Sequence, residues 1–281
     1  MANDWLEYCK SFIPQIKARH KQMLGRDCDL EHPRRLTDKL EWLKVYDSNF
    51  LKTYCSDKIT ARKYVIAKLG KDISIPLLGV YDNFDAIDFS KLPKDYVIKT
   101  NHGSHTNIIV RDGKIDKNAA KRKFDEWLAK DWSWWGFELH YKPIPRKILI
   151  EKFVSDGHPD LTDYKFLCFN GVPKYCQVIS DRHGRNKRLN YMCRNWTPAL
   201  NISRTDFPAN YSFIDTPPAS IDIMWKYAEK LSEDFKFVRV DFYEIAGKCY
   251  FGELTFIPAA AYIKFTDDSV DYALGKLLEL T

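Results

Sequence analysis

Residues 237–258 constrain this chain more than any other stretch. They read Phe-Val-Arg-Val-Asp-Phe-Tyr, a short polar break, then Cys-Tyr-Phe-Gly-Glu-Leu-Thr-Phe-Ile-Pro. Two apolar runs flank 244–248, where Ala246-Gly247 supplies a turn, so the pattern predicts a buried β-hairpin. The period of two along a strand puts Arg239 and Asp241 on one face, and Glu253 and Thr255 share a face on the second strand. If the strands pair across the turn, one face carries a cation, two carboxylates and a hydroxyl. Carboxylates inside an apolar hairpin are costly unless paired or bound to a metal. Hard oxygen ligands at this spacing suit Mg²⁺, which takes one or two carboxylates and completes its shell with water and phosphate. A structural Arg–Asp pair, with Glu253 solvated at a strand end, explains the same residues, and this stretch alone leaves the two readings open.

Composition narrows the function classes. At 281 residues the chain suffices for one large domain or two to three small ones sharing a core. A net charge of +6 favours anionic ligands such as nucleotides or acidic sugars and is too weak to argue for nucleic acid. Seven cysteines, an odd number without paired spacing, predict reduced thiols in a cytoplasm, with no disulfide framework and no zinc site. The opening Met-Ala-Asn-Asp-Trp lacks a basic region followed by an apolar core, so no secretory signal is expected. No apolar run is long enough to span a membrane.

Along the chain, residues 4–24 have helical spacing interrupted by Pro14, and residues 36–46 predict a helix with Thr37 as candidate cap. Residues 56–68 predict a third helix, capped by Ser56 or Asp57 and ended by Gly70, with Lys58, Arg62 and Lys63 on a solvated basic face. A short strand is expected at 75–80. Residues 96–110 form two β-type runs around a small polar loop with one glycine, which folds over phosphates or is an ordinary turn. An amphipathic helix at 118–131 precedes the aromatic stretch 132–141, which is core, an oligomer contact or a surface for stacking sugars. Residues 147–154 predict a buried strand ending at Glu151. A hairpin turning at Asn170-Gly171 joins 165–170 to 174–180. A basic loop at 182–188, a strand at 190–196, a long loop at 201–220, a helix at 221–235 and a last helix at 270–280 complete the reading.

Singly these signals are weak, but their order resembles the ATP-grasp fold. More closely it is similar to the subfamily named after the teichuronopeptide-biosynthesis ligases of bacterial polysaccharide gene clusters. The phrases that carry the resemblance are Lys39-Leu-Glu-Trp-Leu-Lys, Asp57-Lys through Arg62-Lys-Tyr-Val, Val97-Ile-Lys-Thr-Asn-His-Gly-Ser, Asp163-Tyr-Lys-Phe-Leu-Cys-Phe-Asn-Gly, Val238-Arg-Val-Asp-Phe-Tyr and Phe251-Gly-Glu-Leu-Thr-Phe-Ile-Pro. They run from about residue 36 to the C-terminus.

The resemblance implies an α+β protein in which two α+β subdomains grip ATP, with a helical N-terminal segment. The expected division is a mostly helical region 1–95, a lid 96–150 and a C-terminal subdomain 151–281 bearing the metal site. Lys58 and Lys99 would bind ATP phosphates, under a loop that includes His102, Gly103 and Ser104 and extends to Asn107. Glu151 and the backbone of Lys152, Phe153 and Val154 would hold adenine, Asp163 would reach the ribose, and Lys165 belongs to the same nucleotide site. Asp241, Glu253 and Thr255 would hold Mg²⁺, two ions in all, and Arg239 with Lys99 would serve catalysis. Three residues depart from the pattern: Thr255 where Asn is common, Ala259-Ala-Ala-Tyr262 where glycine is common, and His105 in the phosphate loop.

The implied reaction is carboxylate–amine ligation through an acyl phosphate, on a sugar acid or amino acid of a surface polysaccharide. It needs positioning and charge neutralisation more than proton transfer by the protein. The partners would be small-molecule or saccharide carboxylates and amines, and polysaccharide-assembly proteins. Loop 182–188 and stretch 132–141 are candidate saccharide contacts. Three alternatives stand beside it: a sugar kinase with Asp181 or Asp163 as base, a glycosyltransferase of the same pathway, and a non-catalytic saccharide-binding protein.

Overall fold

The structure is a computed structural model and describes residues 2–157, 161–181, 184, 187–212, 214 and 216–280. Five helices open it: α1 (Ala2–Lys10), α2 (Ile13–Leu24), α3 (Leu36–Tyr46), α4 (Phe50–Ser56) and α5 (Thr60–Leu69). Pro14 sits in the first turn of α2, where its missing N–H is not needed, so it starts a helix there.

A four-stranded antiparallel sheet follows, built from β1 (Leu77–Tyr81), β2 (Tyr96–Thr100), β3 (Asn107–Val110) and, beyond helices α6 (Lys117–Ala129) and α7 (Ser133–Gly136), β4 (Ile148–Lys152). Its spatial order is β1-β4-β2-β3. Tyr96, Ile98, Ile148 and Ile150 alternate inward against Phe124 and Ala120 of α6 and Phe84, forming a core of their own.

The second sheet has the order β7-β6-β5-β8-β9, from β5 (Asp163–Phe169), β6 (Val172–Ser180), β7 (Arg188–Met192), β8 (Phe237–Ile245) and β9 (Lys248–Thr255). Helix α8 (Ile221–Ser232) covers one face with buried Met224, Trp225, Ala228 and Leu231, a helical-period stripe. Phe166, Val238, Val240 and Phe242 meet it, and Leu36, Leu40, Tyr64 and Val65 of α3 and α5 join the same core. Helix α9 (Asp268–Lys276) closes the chain against α3.

Both predicted hairpins form. Asn170-Gly171 and Ala246-Gly247 each lie at positive φ in two-residue turns, which matches the right-handed twist of the flanking strands. On β9 the register shifts between the Asp241↔Glu253 and Phe242↔Phe251 pairs. The extra residue, Gly252, reverses the alternation there. Phe251 therefore joins Phe242 in the core, while Glu253 and Thr255 stay on the face of Arg239 and Asp241.

Several local expectations need correction. The helix expected at 56–68 is α5 and starts only at Thr60; Ser56 ends α4, and 57–59 form a break between the two. Asn49 caps α4, and Asp57 accepts the Ile59 N–H at 2.8 Å in the break, which lifts Lys58 out of any helix. Arg62 does not lie on a solvated face: it is buried and reaches the Ile75 carbonyl at 2.6 Å. The strand expected at 190–196 runs instead from Arg188 to Met192. Thr37 lies inside α3 and caps nothing. Its N–H and hydroxyl both donate to Asp271 of α9, at 2.9 and 2.5 Å, and Arg26 adds a bond to the same carboxylate at 3.2 Å. An orphan donor at the helix start is thus satisfied from the far end of the chain.

Asp271→Ala should therefore lower the urea midpoint, corresponding to a loss of about 1–3 kcal/mol, because it strands the buried Thr37 N–H, while the Thr37 hydroxyl and Arg26 keep each other and Arg26 keeps Asp38. A midpoint unchanged from wild type would show that α9 does not cap α3.

Candidate active site

The register of the five-stranded sheet lines up one polar row. Tyr191 pairs with Gln177, Gln177 with Lys165, Lys165 with Asp241, and Asp241 with Glu253. The row crosses all five strands on the face turned away from α8. Gln177 donates to the Tyr191 hydroxyl at 2.9 Å. Lys165 Nζ lies 2.5 Å from Asp241 Oδ2 and 2.9 Å from Asp163 Oδ1. Arg239 grips Asp241 with two parallel bonds of 2.7 Å, and its Nη2 also donates to Glu253 Oε1 at 3.1 Å and to the Thr255 hydroxyl at 3.0 Å. Thr255 in turn donates to Glu253 at 3.1 Å.

Two cations against three carboxylates leave this cluster one negative charge. Asp241 is 1% exposed and Lys165 6% exposed, so each depends on the other for charge balance. Burial pushes the Glu253 carboxyl up, but Arg239, Lys58 and Lys165 outweigh it and hold it down at about 2. Glu253 thus stays ionised at any physiological pH.

The other wall comes from the four-stranded sheet and the start of α5. Lys99 on β2 pairs with Glu151 on β4 at 2.6 Å, and Arg62 approaches the other Glu151 oxygen at 3.4 Å. Lys58 donates through Nζ to the Gly103 carbonyl at 2.8 Å and through its backbone N–H to the Asn101 carbonyl at 3.0 Å. Its ammonium is destabilised by burial, supported by Glu253 and repelled by Lys99. Lys58 therefore stands between the lysine–glutamate pair of one sheet and the carboxylates of the other.

The loop 101–106 is held from beneath. The Thr100 hydroxyl donates to the His102 carbonyl and lies 2.6 Å from the Thr106 hydroxyl. His102 itself is 3% exposed, and burial, with Arg146 and Lys58, lowers its imidazole to about 4. What His102 offers the cleft is backbone, since its ring is packed inside. Ser104 is exposed at the tip. Gly103 has φ +86°, and a Cβ there would lie 2.5 Å from the Trp132 ring. The glycine is thus required by close approach as well as by backbone conformation.

Of the residues the sequence singles out, Arg239, Asp241, Glu253, Thr255, Asp163 and Lys165 are brought together in one bonded cluster, and Lys58, Lys99 and Glu151 face it. Glu151 lies inside β4, one residue before its end, with its carboxylate engaged by Lys99 and Arg62. Lys152 is exposed, and the Phe153 ring is stacked by Arg111 at 4.1 Å; Val154 follows as part of the segment after the strand. Of the basic loop at 182–188, positions 182, 183, 185 and 186 lie outside the described residues. Sequence reasoning missed Arg62, Gln177 and Tyr191. The alternation of β6 and β7 was the signal for the last two, once the register with Lys165 is known.

The donor set at Asp241, Glu253 and Thr255 fits a hard divalent cation. All donors are oxygens, the cluster carries a net negative charge, and Glu253 Oε2 has no partner among the described residues. Asp241 has both oxygens bonded to Arg239 and Lys165, so Glu253 is the more available ligand.

Two antiparallel sheets, with Lys58 and Lys99 set toward the cluster of Asp241 and Glu253, agree with an ATP-grasp architecture. A family model described as TupA-like ATPgrasp matches residues 38–279, and the chain belongs to that family. No curated protein matches the sequence. Among solved structures, D-alanine–D-alanine ligase from Bacillus anthracis complexed with ATP is 18% identical, with 72% of this chain and 54% of that one covered and a TM-score of 0.39. The corresponding ligase from Helicobacter pylori is 13% identical, with 81% and 60% covered and a TM-score of 0.44. L-amino acid ligase from Bacillus licheniformis is 13% identical, with 79% and 46% covered and a TM-score of 0.45. The chain thus spans about half to three fifths of the length of these ligases. Among the described residues, no helix is long and apolar enough to cross a membrane.

Gly103→Ala should force the Trp132 indole to move. We expect a shifted tryptophan emission and an ATP affinity weakened roughly tenfold, the cost of a modest overpacking. Emission and affinity both unchanged would mean that Trp132 does not support the loop.

Proposed function

We propose that this protein is an ATP- and Mg²⁺-dependent carboxylate–amine ligase acting on a sugar acid or amino acid in bacterial surface polysaccharide synthesis. The observation that carries the reading is the bonded cluster of Arg239, Asp241, Lys165 and Glu253 facing Lys58 and Lys99. In this reading residues 96–150 act as the lid and 151–281 carry the metal site.

Lys58 and Lys99 hold the nucleotide's phosphates, and the backbone of 102–107 folds over them. To do so Lys58 exchanges the Gly103 carbonyl for a phosphate oxygen, and Lys99 turns from Glu151. The backbone of Lys152–Val154 takes the adenine edge beside Glu151, and Asp163 the ribose. Asp241 and Glu253 would hold Mg²⁺, with Thr255 beside them. When bound, the metal offsets the charge that develops on the transferring phosphoryl group. Arg239 presents a planar fork suited to a carboxylate or an acyl phosphate. The carboxylate is activated by phosphorylation, and an amine then displaces the phosphate to leave an amide. The modest excess of positive charge supports an anionic saccharide as the acid partner.

The test is ATP turnover with Mg²⁺ against uronic acids, sugar nucleotides and amino acids, with mass spectrometry of the products. We expect ADP release that needs both a carboxylate and an amine, together with a new amide mass. Asp241→Asn and Glu253→Gln should each lower turnover by at least about 100-fold, the usual loss when charge stabilisation of a transition state is removed. A phosphorylated sugar formed without an amine would replace the ligase reading by a kinase.

A further inference from the structure

The stretch 132–141 has no part in that ligation, yet it places a carboxylate near the end of β9. Gly136 is packed against Ala260 so closely that a Cβ on it would overlap the Ala260 methyl; that Cβ would also lie 3.1 Å from Glu138 Oε2. Residues 136–138 therefore rest on the turn that follows β9 and Pro258. His140 anchors the same stretch, its ring edge-on to Phe256 at 5.8 Å and its carbonyl accepting from Thr53 at 2.8 Å. The turn beneath is itself strained: Ala259, Ala260 and Ala261 all have positive φ, at 50°, 50° and 66°. Buried Lys44 of α3 holds it by donating to the Ala260 carbonyl at 2.8 Å, while its charge is paired with Glu41 at 2.6 Å.

Glu138 is left without such a pairing. It is half-buried, and its carboxylate has no hydrogen bond or ion pair among the described residues. The charged and titratable groups around it are Lys44 and Glu41 from α3, Glu253 from β9, Tyr141 from its own stretch and Tyr262 after the turn. Tyr141 also feels Arg239, so this corner adjoins the cluster where the acyl group would be activated. A half-buried carboxylate with no cation of its own is complementary to a cation brought by a substrate.

We infer that Glu138 receives the ammonium group of the amine substrate and removes its proton, which makes it a catalytic residue of the ligase proposed above, on whose reading this inference rests. The ammonium gives one proton to the Glu138 carboxylate, which frees the nitrogen lone pair. The neutral nitrogen attacks the acyl carbon, the carbon–oxygen bond to phosphate breaks, and the second proton leaves the nitrogen with the departing phosphate. Burial, chiefly, with Glu41 and Glu253 adding and Lys44 opposing, pushes the Glu138 carboxyl up to about 7, a strength suited to a base near neutral pH.

The test separates amine activation from carboxylate activation. Wild type, Glu138→Gln and Glu138→Asp are incubated with ATP, Mg²⁺ and D-glucuronate, D-galacturonate or UDP-glucuronate. The nucleophile is glycine, L-glutamate or L-lysine in one series. In the other it is hydroxylamine, which is uncharged at neutral pH and needs no base. For Glu138→Gln we expect amide formation to fall by about 100-fold or more, a raised KM for the amine, and hydroxamate formation retained. Glu138→Asp should recover part of the loss. In wild type kcat/KM for the amine should rise with pH through the Glu138 titration, and this limb should vanish in Glu138→Gln. Amide formation within threefold of wild type, or parallel loss of amide and hydroxamate, would overturn the assignment of Glu138. Absence of hydroxamate from wild type with every carboxylate would overturn the ligase reading itself and this inference with it.

Discussion

The bidentate grip of Arg239 on Asp241, completed by Lys165, is the interaction on which the rest of the site depends. Each of these charges is enclosed by the five-stranded sheet and the elements that cover it, so none is tolerable without the others. The consequence reaches beyond the site. A slip of β8 by one residue against β5 would turn Arg239 and Asp241 into the core under α8 and leave Lys165 without its partner. The cluster therefore fixes strand register, and the register in turn sets Gln177 and Tyr191 in line with Glu253. At about 4.8 Å between neighbouring strands, the row extends roughly 19 Å across the sheet.

Glu253 holds a different position from Asp241. It lies at the β9 end of the row, half-exposed, and bonded through one oxygen only. Asp241 is saturated by cations of the protein. The two carboxylates that look equivalent in sequence thus differ in availability. The sheet builds a stable base at Asp241 and presents Glu253 toward the lysines of the other wall. Lys58 is placed there by the break between α4 and α5, because a residue inside a continuous helix would not bond the Asn101 and Gly103 carbonyls together.

Much of this was legible in residues 237–258, because strand alternation and a two-residue turn are local signals and the charges interrupt an otherwise apolar pattern. The hairpin at Asn170-Gly171 was legible for the same reason. Where the deciding partner lay far along the chain, local reading failed. Thr37 has the chemistry of a cap, yet Asp271, more than two hundred positions on, takes its donors. Arg62 has the look of a surface residue in a basic helix, yet it is buried by Glu151 and the Ile75 carbonyl. Glu138 is one acidic residue in an aromatic run. It forms no ion pair because nearby Lys44 is taken up by Glu41 and the Ala260 carbonyl, an arrangement that no spacing in the sequence encodes.

The four-stranded sheet leaves the chain and rejoins it at one point, since Leu77 on β1 lies opposite Glu151 on β4. Apart from 132–141, which packs on α4 and the turn after β9, the stretch from Leu77 to Lys152 is therefore an excursion between α5 and β5, and the core of its sheet shares no buried side chain with the main one. For the main core, closing that excursion costs loop entropy that grows only as the logarithm of its length, about 0.6 kcal/mol for each doubling. Helices α3 to α5 can meet β5 to β9 almost as if they were contiguous. The inserted sheet is then a separate cooperative unit. Its amides can open to solvent on their own clock while the charged row beneath stays protected.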